Sequence, residues 1–298
     1  MVSMADQLVL ENSQICAVVL PQYGAGLARF DLRWRGNRLP VFRPLAGEPK
    51  DECDLALFLL APFSNRIGQG GFAWHGRRYP LPANWADEPC PLHGDAWQQA
   101  WTVTERSSSQ ARLELKSRHT MPFAYDAQID WRLEGAALCA TLTLTHRGPD
   151  TMLYGGGFHP WFLREPDVQL QALADGWWAE DARHLPTHWQ AVAGDESRDF
   201  RSARPLPAEF VNALYTGWNG QAKMLWPRRG LALEVGADAP LNRYVFYSPG
   251  AEADFFCFEP VSHDIDAHNR ASPQQAGLVA LDEGADLRLS ARFTARPS

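Results

Sequence analysis

Hydrophobic and polar residues alternate with a period of two along much of this chain. Between Tyr125 and Glu134, apolar residues occupy every second position and polar ones the positions between them. The segments Leu138–Thr145 and Asp286–Ala295 repeat this alternation. A period of two is typical of a β-strand with one buried face. Shorter runs of the same kind are Ala111–Arg118, Val168–Leu173, Leu231–Val235, Tyr244–Tyr247 and Asp254–Phe258.

Turn signals separate the predicted strands. Gly36-Asn37 and His75-Gly76 each lie between two short apolar runs, as in a hairpin. Helical periodicity is weak, and Pro273–Leu281 is the best candidate for a short helix. Many short strands with polar turns predict a sandwich or barrel. Since no repeat or linker divides the sequence, we expect an all-β, antiparallel single domain over residues 1–298.

Composition and charge narrow the function classes. The chain has 298 residues, of which 45% are hydrophobic and 21% charged, which is typical of a globular protein. The net charge of −7 argues against nucleic acid and anionic membranes as partners. The longest apolar run, Leu55–Phe63, is too short to span a bilayer, and the N-terminus does not resemble a signal peptide. Five cysteines without CxxC spacing suggest a reducing compartment, so we expect a cytoplasmic protein.

Two loop segments carry candidate binding residues. Asn65 and Arg66 directly follow an apolar run, so they offer several hydrogen-bond donors at the end of a buried strand. They could bind a ligand or simply tie loops together. His93 precedes Gly94, in a loop that can approach a ligand closely. The alternative for His93 is an ordinary loop histidine with its hydrogen bonds satisfied.

Two further segments carry candidate acid–base residues. Three glycines, Gly155–Gly157, come shortly before His159 and could leave a wall bare of side chains, or form a bulge between core strands. Pro160 favours an extended backbone at His159. Glu259 ends an apolar strand, and burial there would raise its pKa towards the range of a useful general base. The alternative for Glu259 is an ion pair with a buried arginine.

No cofactor or metal site is predicted. Gly68–Ala73 matches a dinucleotide fingerprint formally but leads into a hairpin pattern rather than a helix. His263–His268 would place two aspartates and a histidine on one face if it were a strand, but no further ligands accompany them. We therefore expect neither nucleotide nor metal.

Taken together and in this order, these segments resemble the aldose 1-epimerase (galactose mutarotase-like) family. The resemblance covers nearly the whole chain and implies a large antiparallel β-supersandwich with a sugar cleft on one face. The matching segments are Val19–Ala25, Asn65–Ile67, Leu92–Gly94, Gly157–Phe162, Phe258–Pro260 and Leu281–Phe293, the last as a closing strand pair around Glu283-Gly284.

The resemblance also implies residue roles. Glu259 matches the general base that takes the proton of the anomeric hydroxyl, and His159 matches the general acid that protonates the ring oxygen. Arg66 and His93 match ligands of sugar hydroxyls, and Asn65 belongs to the same motif.

One position departs from the family pattern. Asn212 stands where the family has a substrate-binding Asp, and an amide accepts hydrogen bonds without carrying charge. Trp161 is expected to offer an apolar face to the sugar, and Phe158 and Trp74 are further candidates.

We therefore expect a cofactor-free isomerase that interconverts the anomers of an aldohexose. Its partner would be a small-molecule sugar, and the chain would be a monomer or homodimer. One alternative is a hexose-6-phosphate 1-epimerase, which requires converging arginines. A second is a non-catalytic carbohydrate-binding protein, which the uncharged Asn212 would suit. A glycosidase is less favoured, because only Glu259 is well placed and Asp264 or Asp266 would have to be the second carboxylate. The arginines available for a phosphate are Arg66, Arg77, Arg78 and Arg243.

Overall fold

The computed structural model describes residues 7–86, 88–118, 120 and 122–298. Strands joined by turns and a few three-residue 3₁₀ helices make up the regular structure of these residues. The strands are β1 Leu8–Glu11, β2 Ile15–Leu20, β3 Gly26–Trp34, β4 Asn37–Pro40, β5 Leu57–Leu60, β6 Gly71–Trp74, β7 Arg77–Pro80, β8 Thr102–Arg106, β9 Gln110–Ser117, β10 Tyr125–Glu134, β11 Ala137–His146, β12 Met152–Tyr154, β13 Gly157–Leu163, β14 Gln169–Ala172, β15 Gly176–Glu180, β16 Pro186–Ala191, β17 Arg204–Pro205, β18 Val211–Thr216, β19 Gln221–Trp226, β20 Leu231–Ala237, β21 Arg243–Ser248, β22 Phe255–Val261, β23 Val279–Leu281 and β24 Asp286–Pro297. The 3₁₀ helices are Glu52–Asp54, Ala96–Gln98, Pro227–Arg229 and Ala267–Asn269.

Two large antiparallel sheets form the body of the fold. The larger has eleven strands in the order β1-β2-β3-β5-β13-β22-β21-β18-β15-β16, with β4 added beside β3. The other has nine strands in the order β17-β14-β19-β20-β24-β11-β10-β9-β8. The predicted all-β, antiparallel supersandwich is confirmed.

The main core lies between these sheets. It joins Leu57 and Leu59 of β5 to Ile129 and Trp131 of β10, all of which are fully buried. The alternation seen in the sequence therefore turns every second residue of β5 and β10 into this core.

The opposite face of the eleven-stranded sheet carries a second apolar cluster. Phe58 and Leu60 of β5 alternate with the core residues and belong to the same cluster as Val245 of β21 and Leu214 of β18. This face, which we call the site face, receives the intervening residues of β5, β13, β22, β21, β18 and β15. The candidate catalytic side chains lie here.

The two predicted hairpins are confirmed, and the prediction of a short helix is wrong. Gly36-Asn37 and His75-Gly76 lie at the predicted reversals. Pro273–Leu281 forms turns that lead into β23, because Gly277 adopts φ +95° and packs where a Cβ would come within 2.2 Å of a backbone oxygen. The chain also turns at Glu283-Gly284 as expected, but β23 pairs with β12 rather than with β24.

A search of the described residues for a helix of sufficient length and apolarity to cross a membrane finds none.

Candidate active site

His159 and Glu259 face each other on neighbouring strands. Gly157 pairs with Val261 and Trp161 with Cys257, so the register of β13 and β22 sets the two residues opposite each other. The distance from His159 Nε2 to Glu259 Oε1 is 3.2 Å. Their side chains are 10% and 3% exposed, so the pair lies at the bottom of the site face with slight access to solvent.

Burial moves the pKa values of the pair in opposite directions. Desolvation raises the pKa of Glu259 well above its usual value, and the positive charge of Arg66 opposes this only in part. Desolvation lowers the pKa of His159 to about 3. The His159 imidazole stacks on the rings of Phe58 and Trp161, with centroid distances of 4.3 and 5.4 Å. These aromatic rings make its surroundings apolar. Both shifts favour the uncharged forms of the two groups, a protonated carboxyl on Glu259 and a neutral imidazole on His159.

Two atoms of the pair remain open. His159 Nδ1 and Glu259 Oε2 are buried and have no hydrogen-bond partner among the described residues. No arginine of the described chain lies within ion-pair distance of Glu259, whose ion-pair partner is His159. A buried polar atom without a partner is uncommon and is a feature of functional sites. The pair can therefore hydrogen-bond to a ligand without first breaking another contact.

His93 is held as a neutral hydrogen-bond donor. The His93 ring Nδ1 accepts from the backbone N–H of Asn65 at 3.0 Å, and the His93 backbone N–H donates to the Asn65 carbonyl at 2.9 Å. Since Nδ1 accepts, the ring proton lies on Nε2. Burial first, then the neighbouring His159 and Arg66, lower the pKa of His93 well below its usual value. The ring lies 5.4 Å from that of His159.

Left-handed backbone conformations shape this loop. Asn65 has φ +57°, His93 +58° and Gly94 +69°. A Cβ on Gly94 would lie 2.1 Å from the Ala61 carbonyl oxygen, so only glycine fits there. The resulting close approach sets His93 against the end of β5.

Arg66 is fixed by Glu88. Its Nε donates to Glu88 Oε2 at 2.9 Å, and its Nη2 donates to Oε1 of the same carboxylate. Asn65 Oδ1 accepts from Arg66 Nη1 at 3.3 Å, so the Asn65 side chain orients the guanidinium. With 11% of its side chain exposed, Arg66 is a positive charge of fixed position beside the pair.

Asn212 lies in a polar group with Glu180 and His184. Its Nδ2 donates to Glu180 Oε2 at 2.9 Å, and His184 Nδ1 lies 2.8 Å from Glu180 Oε1. Burial raises the pKa of Glu180, whereas His184 and the positive Arg66 lower it. The carboxylate missing at position 212 is therefore present on the next strand.

The candidate aromatic residues separate into different places. Trp161 lies on the site face, where it contacts His159 and has the Arg43 guanidinium carbon 4.2 Å from its ring centre. Phe158 points into the main core and is fully buried. Trp74 belongs to the β6–β7 hairpin and donates its Nε1–H to the Thr151 carbonyl. The structure therefore does not place Phe158 on the site face, because it alternates with His159.

The glycine triplet packs rather than leaving a bare wall. A Cβ on Gly155 would lie 2.1 Å from the His263 ring, and one on Gly157 would lie 2.2 Å from the Pro260 carbonyl oxygen. On Gly156 it would lie 2.3 Å from the Leu60 carbonyl oxygen. Of the two alternatives for these glycines, the close contacts favour packing between core strands over a wall open to ligand, since the glycines bring β5, β13 and β22 together.

Strand β22 ends at Val261, so the segment His263–His268 does not form a strand. Asp264 binds the Arg243 guanidinium, and Asp266 accepts from the Gly68 N–H at 2.7 Å. His263 Nε2 accepts from the Ser64 N–H at 2.9 Å. Each side chain therefore serves a separate loop contact. Among the described residues, the group with metal-ligand proximity is His159, Cys257 and Glu259, which belongs to the pair itself.

The four arginines considered for a phosphate do not converge. Arg66 is bound to Glu88 and Arg243 to Asp264. Arg77 and Arg78 lie exposed on the β6–β7 hairpin.

Sequence reasoning missed Glu88, Glu180, His184 and Tyr247. Glu180 ends the short strand β15, two residues after Trp178, which the site-face cluster contains. That alternation was a signal. Glu88 and His184 come from loops without a regular pattern, so nothing in the sequence assigned their partners.

Comparisons with known proteins identify the family to which this antiparallel supersandwich belongs. Residues 6–294 match the family model described as aldose 1-epimerase. The chain belongs to the aldose 1-epimerase family. It is 33% identical over 257 residues to the uncharacterised Escherichia coli K12 protein YphB, covering 84% of this chain and 87% of that protein. The chain is also 26% identical over 281 residues to the uncharacterised protein YihR of the same strain, covering 89% of this chain and 86% of that protein.

Solved structures share the fold. A crystal structure of an Escherichia coli K12 protein, provisionally described as an aldose 1-epimerase, superposes with a TM-score of 0.90 at 30% identity, covering 98% of this chain and 99% of that one. A galactose mutarotase-like protein of Clostridium acetobutylicum gives a TM-score of 0.83 at 17% identity, covering 98% and 95%. The second likeness supports the fold alone.

Proposed function

We propose that this protein is a mutarotase that interconverts the α and β anomers of an aldohexose. The proposal rests on the Glu259–His159 pair, 3.2 Å apart and opposite in the direction of its pKa shifts. When both groups of the pair are uncharged, the carboxyl of Glu259 carries the proton. Proton transfer across this 3.2 Å contact to His159 produces a carboxylate and an imidazolium, which are the base and the acid that the reaction needs.

The reaction proceeds by opening and closing a hemiacetal. Glu259 takes the proton of the C1 hydroxyl while His159 delivers a proton to O5. The C1–O5 bond breaks with its electrons going to O5, and an open-chain aldehyde forms. Rotation about C1–C2 exposes the other carbonyl face, and ring closure returns both protons. No redox partner is required, because oxidation states are the same before and after.

Neighbouring groups support these transfers. His93 presents its Nε2–H as a neutral donor to a sugar oxygen, because its Nδ1 is committed to Asn65. Arg66 stabilises negative charge on Glu259 when the carboxylate form is present. Trp161 positions the His159 ring by stacking.

Polarimetry on freshly dissolved α-glucose and α-galactose tests the proposal. Glu259→Gln is expected to lose at least about a hundredfold in kcat, since one general base contributes about that much. Glu196→Gln, at an exposed position, is the matched control and should keep wild-type rates. Near-wild-type turnover by Glu259→Gln would refute the role of Glu259. Failure of the wild-type protein to accelerate anomerisation of any aldose would refute the function.

A further inference from the structure

The site face carries a polar group away from the catalytic pair. Cross-strand pairing aligns Trp161 with Cys257, Cys257 with Tyr247, and Tyr247 with Asn212. Neighbouring strands lie about 4.8 Å apart, so β18 with Asn212 is about 10 Å from β22 with Glu259. Asn212 and its partner Glu180 therefore lie on the same face as the catalytic pair, about two strand spacings away from Glu259.

Arg66 and Tyr247 link the two ends of this face electrostatically. The positive charge of Arg66 lowers the pKa of both Glu259 and Glu180. Tyr247 lies between them, and both carboxyl groups contribute to raising its pKa after burial, the largest cause. Arg66, Tyr247 and the two carboxyl groups therefore influence one another electrostatically across the site face.

Glu180 retains unused acceptor positions. Asn212 occupies one position on Oε2, and His184 occupies one on Oε1. A carboxylate offers about four lone-pair positions, so each oxygen can accept one more hydrogen bond. The side chain is 20% exposed, which leaves these positions reachable from the site face.

The loop after β15 is built to hold this carboxylate. His184 has φ +58°, a conformation that costs energy for a residue with a Cβ. Asp181 Oδ1 stabilises the turn by accepting from the N–H groups of Arg183 and Leu185 at 2.8 and 3.0 Å. A Cβ on Gly68 would lie 3.0 Å from Leu185, so this loop packs against the segment that follows Arg66.

Glu180 also explains the amide at position 212. An Asp there would set two carboxylates at hydrogen-bond distance, whereas Asn212 donates its Nδ2–H to Glu180. That bond fixes the amide orientation and leaves Asn212 Oδ1 as a further acceptor. The negative charge has moved from position 212 to position 180 rather than being lost.

We infer that Glu180 determines substrate specificity: it accepts hydrogen bonds from two sugar hydroxyls remote from C1 and disfavours sugars that carry phosphate there. This inference rests on the proposed mutarotase function. A neutral aldohexose supplies donors to the carboxylate. A hexose 6-phosphate brings about −1.5 to −2 charges against it.

The test compares wild type with Glu180→Gln for α-glucose and glucose 6-phosphate. Polarimetry gives kcat and KM, and calorimetric titration gives Kd. Glu180→Gln should raise KM and Kd for glucose at least about tenfold, with a smaller change in kcat, because hydrogen bonds to a charged group are lost. Its preference for glucose over glucose 6-phosphate should fall at least tenfold.

A charge-swap variant separates recognition from a structural role. The double variant Glu180→Gln with Asn212→Asp returns the carboxylate to position 212 and should recover most of the preference for glucose. It also keeps an amide–carboxylate pair, so it remains informative if the single variant folds poorly. Glu196→Gln is the exposed control and should match wild type.

The outcomes distinguish the two proposals. An active wild type with unchanged KM, Kd and sugar preference in Glu180→Gln would overturn the inference and leave the mutarotase proposal standing. Loss of stability without a change in preference, or no recovery in the swap variant, would also overturn it. An inactive wild type that still binds glucose through Glu180 would refute the mutarotase proposal and retain Glu180 as a sugar ligand. Absence of glucose binding by the wild type would overturn both.

Discussion

Replacing His268 by Phe should make the protein more resistant to acid. The imidazole lies among three phenylalanine rings, with centroid distances of 5.9, 4.6 and 5.9 Å to Phe63, Phe72 and Phe123. Its Nε2–H donates to the Leu153 carbonyl at 3.3 Å, and its Nδ1 has no partner among the described residues. Burial lowers the pKa of His268 to about 3.

The direction of the effect follows from proton binding. In the unfolded chain His268 has the ordinary pKa of 6.5, so below that pH the unfolded state binds a proton that the folded state excludes. Stability is therefore present above pH 6.5 and is lost as the pH falls from 6.5 towards 3. At pH 5 the loss from His268 is about 1.5 pH units at about 1.4 kcal/mol per unit, or about 2 kcal/mol.

Urea unfolding at pH 7.5 and pH 5.0 measures this contribution. His268→Phe should show a drop in unfolding free energy between the two pH values that is about 2 kcal/mol smaller than that of wild type. Loss of the bond to Leu153 costs about 1 kcal/mol, but at both pH values, so it cancels from the difference. His188→Phe, at an exposed position, should leave the drop unchanged. An identical drop in wild type and His268→Phe would refute the reasoning.

Three further predictions concern the site. Gly94→Ala should destabilise the protein by several kcal/mol in urea unfolding, because its Cβ would lie 2.1 Å from a carbonyl oxygen at φ +69°; Gly47→Ala, with φ +79° and open space, should cost only about 1 kcal/mol. The value of kcat/KM, corrected for spontaneous mutarotation, should stay level from pH 6.5 to 5, since the pKa of His159 is about 3. It should fall as the pH rises through the raised pKa of Glu259. A fall in kcat/KM on acidification from pH 6.5 to 5 would contradict a pair that shares one proton. Glu88→Gln should raise KM for glucose about tenfold with less effect on kcat, because Arg66 loses its fixing partner, and an unchanged KM would count against that role.

The strand pattern was predictable because alternation is a local property. Burial of one face requires apolar residues at every second position, so β10, β11 and β24 are recognisable without any knowledge of their partners. The hairpin turns were equally local. The prediction of a helix at Pro273–Leu281 was wrong because turn residues after a proline share the composition of a short helix. The conformation of Gly277 is instead fixed by a contact with a distant carbonyl, which no local pattern shows.

The site was predictable only in part. Glu259 could be singled out because it ends an apolar run, and His159 because it closely follows three glycines; each also lies beside a proline. The contact of Asn212 with Glu180 depends on the pairing of β15 with β18 across 32 residues, and no local pattern records it. For the same reason the uncharged Asn212 suggested a lost function until its neighbour was visible.

The alternation on the site sheet has an evolutionary consequence. In β22, Phe256 and Phe258 point into the main core, whereas Cys257 and Glu259 point to the site face. Selection for a durable fold and selection for a particular sugar therefore act on interleaved residues of one strand. Saturation mutagenesis of β22 should show cellular abundance falling at the first set and turnover falling at the second. Substrate preference can therefore change by substitution at positions directly adjacent to residues that the fold requires.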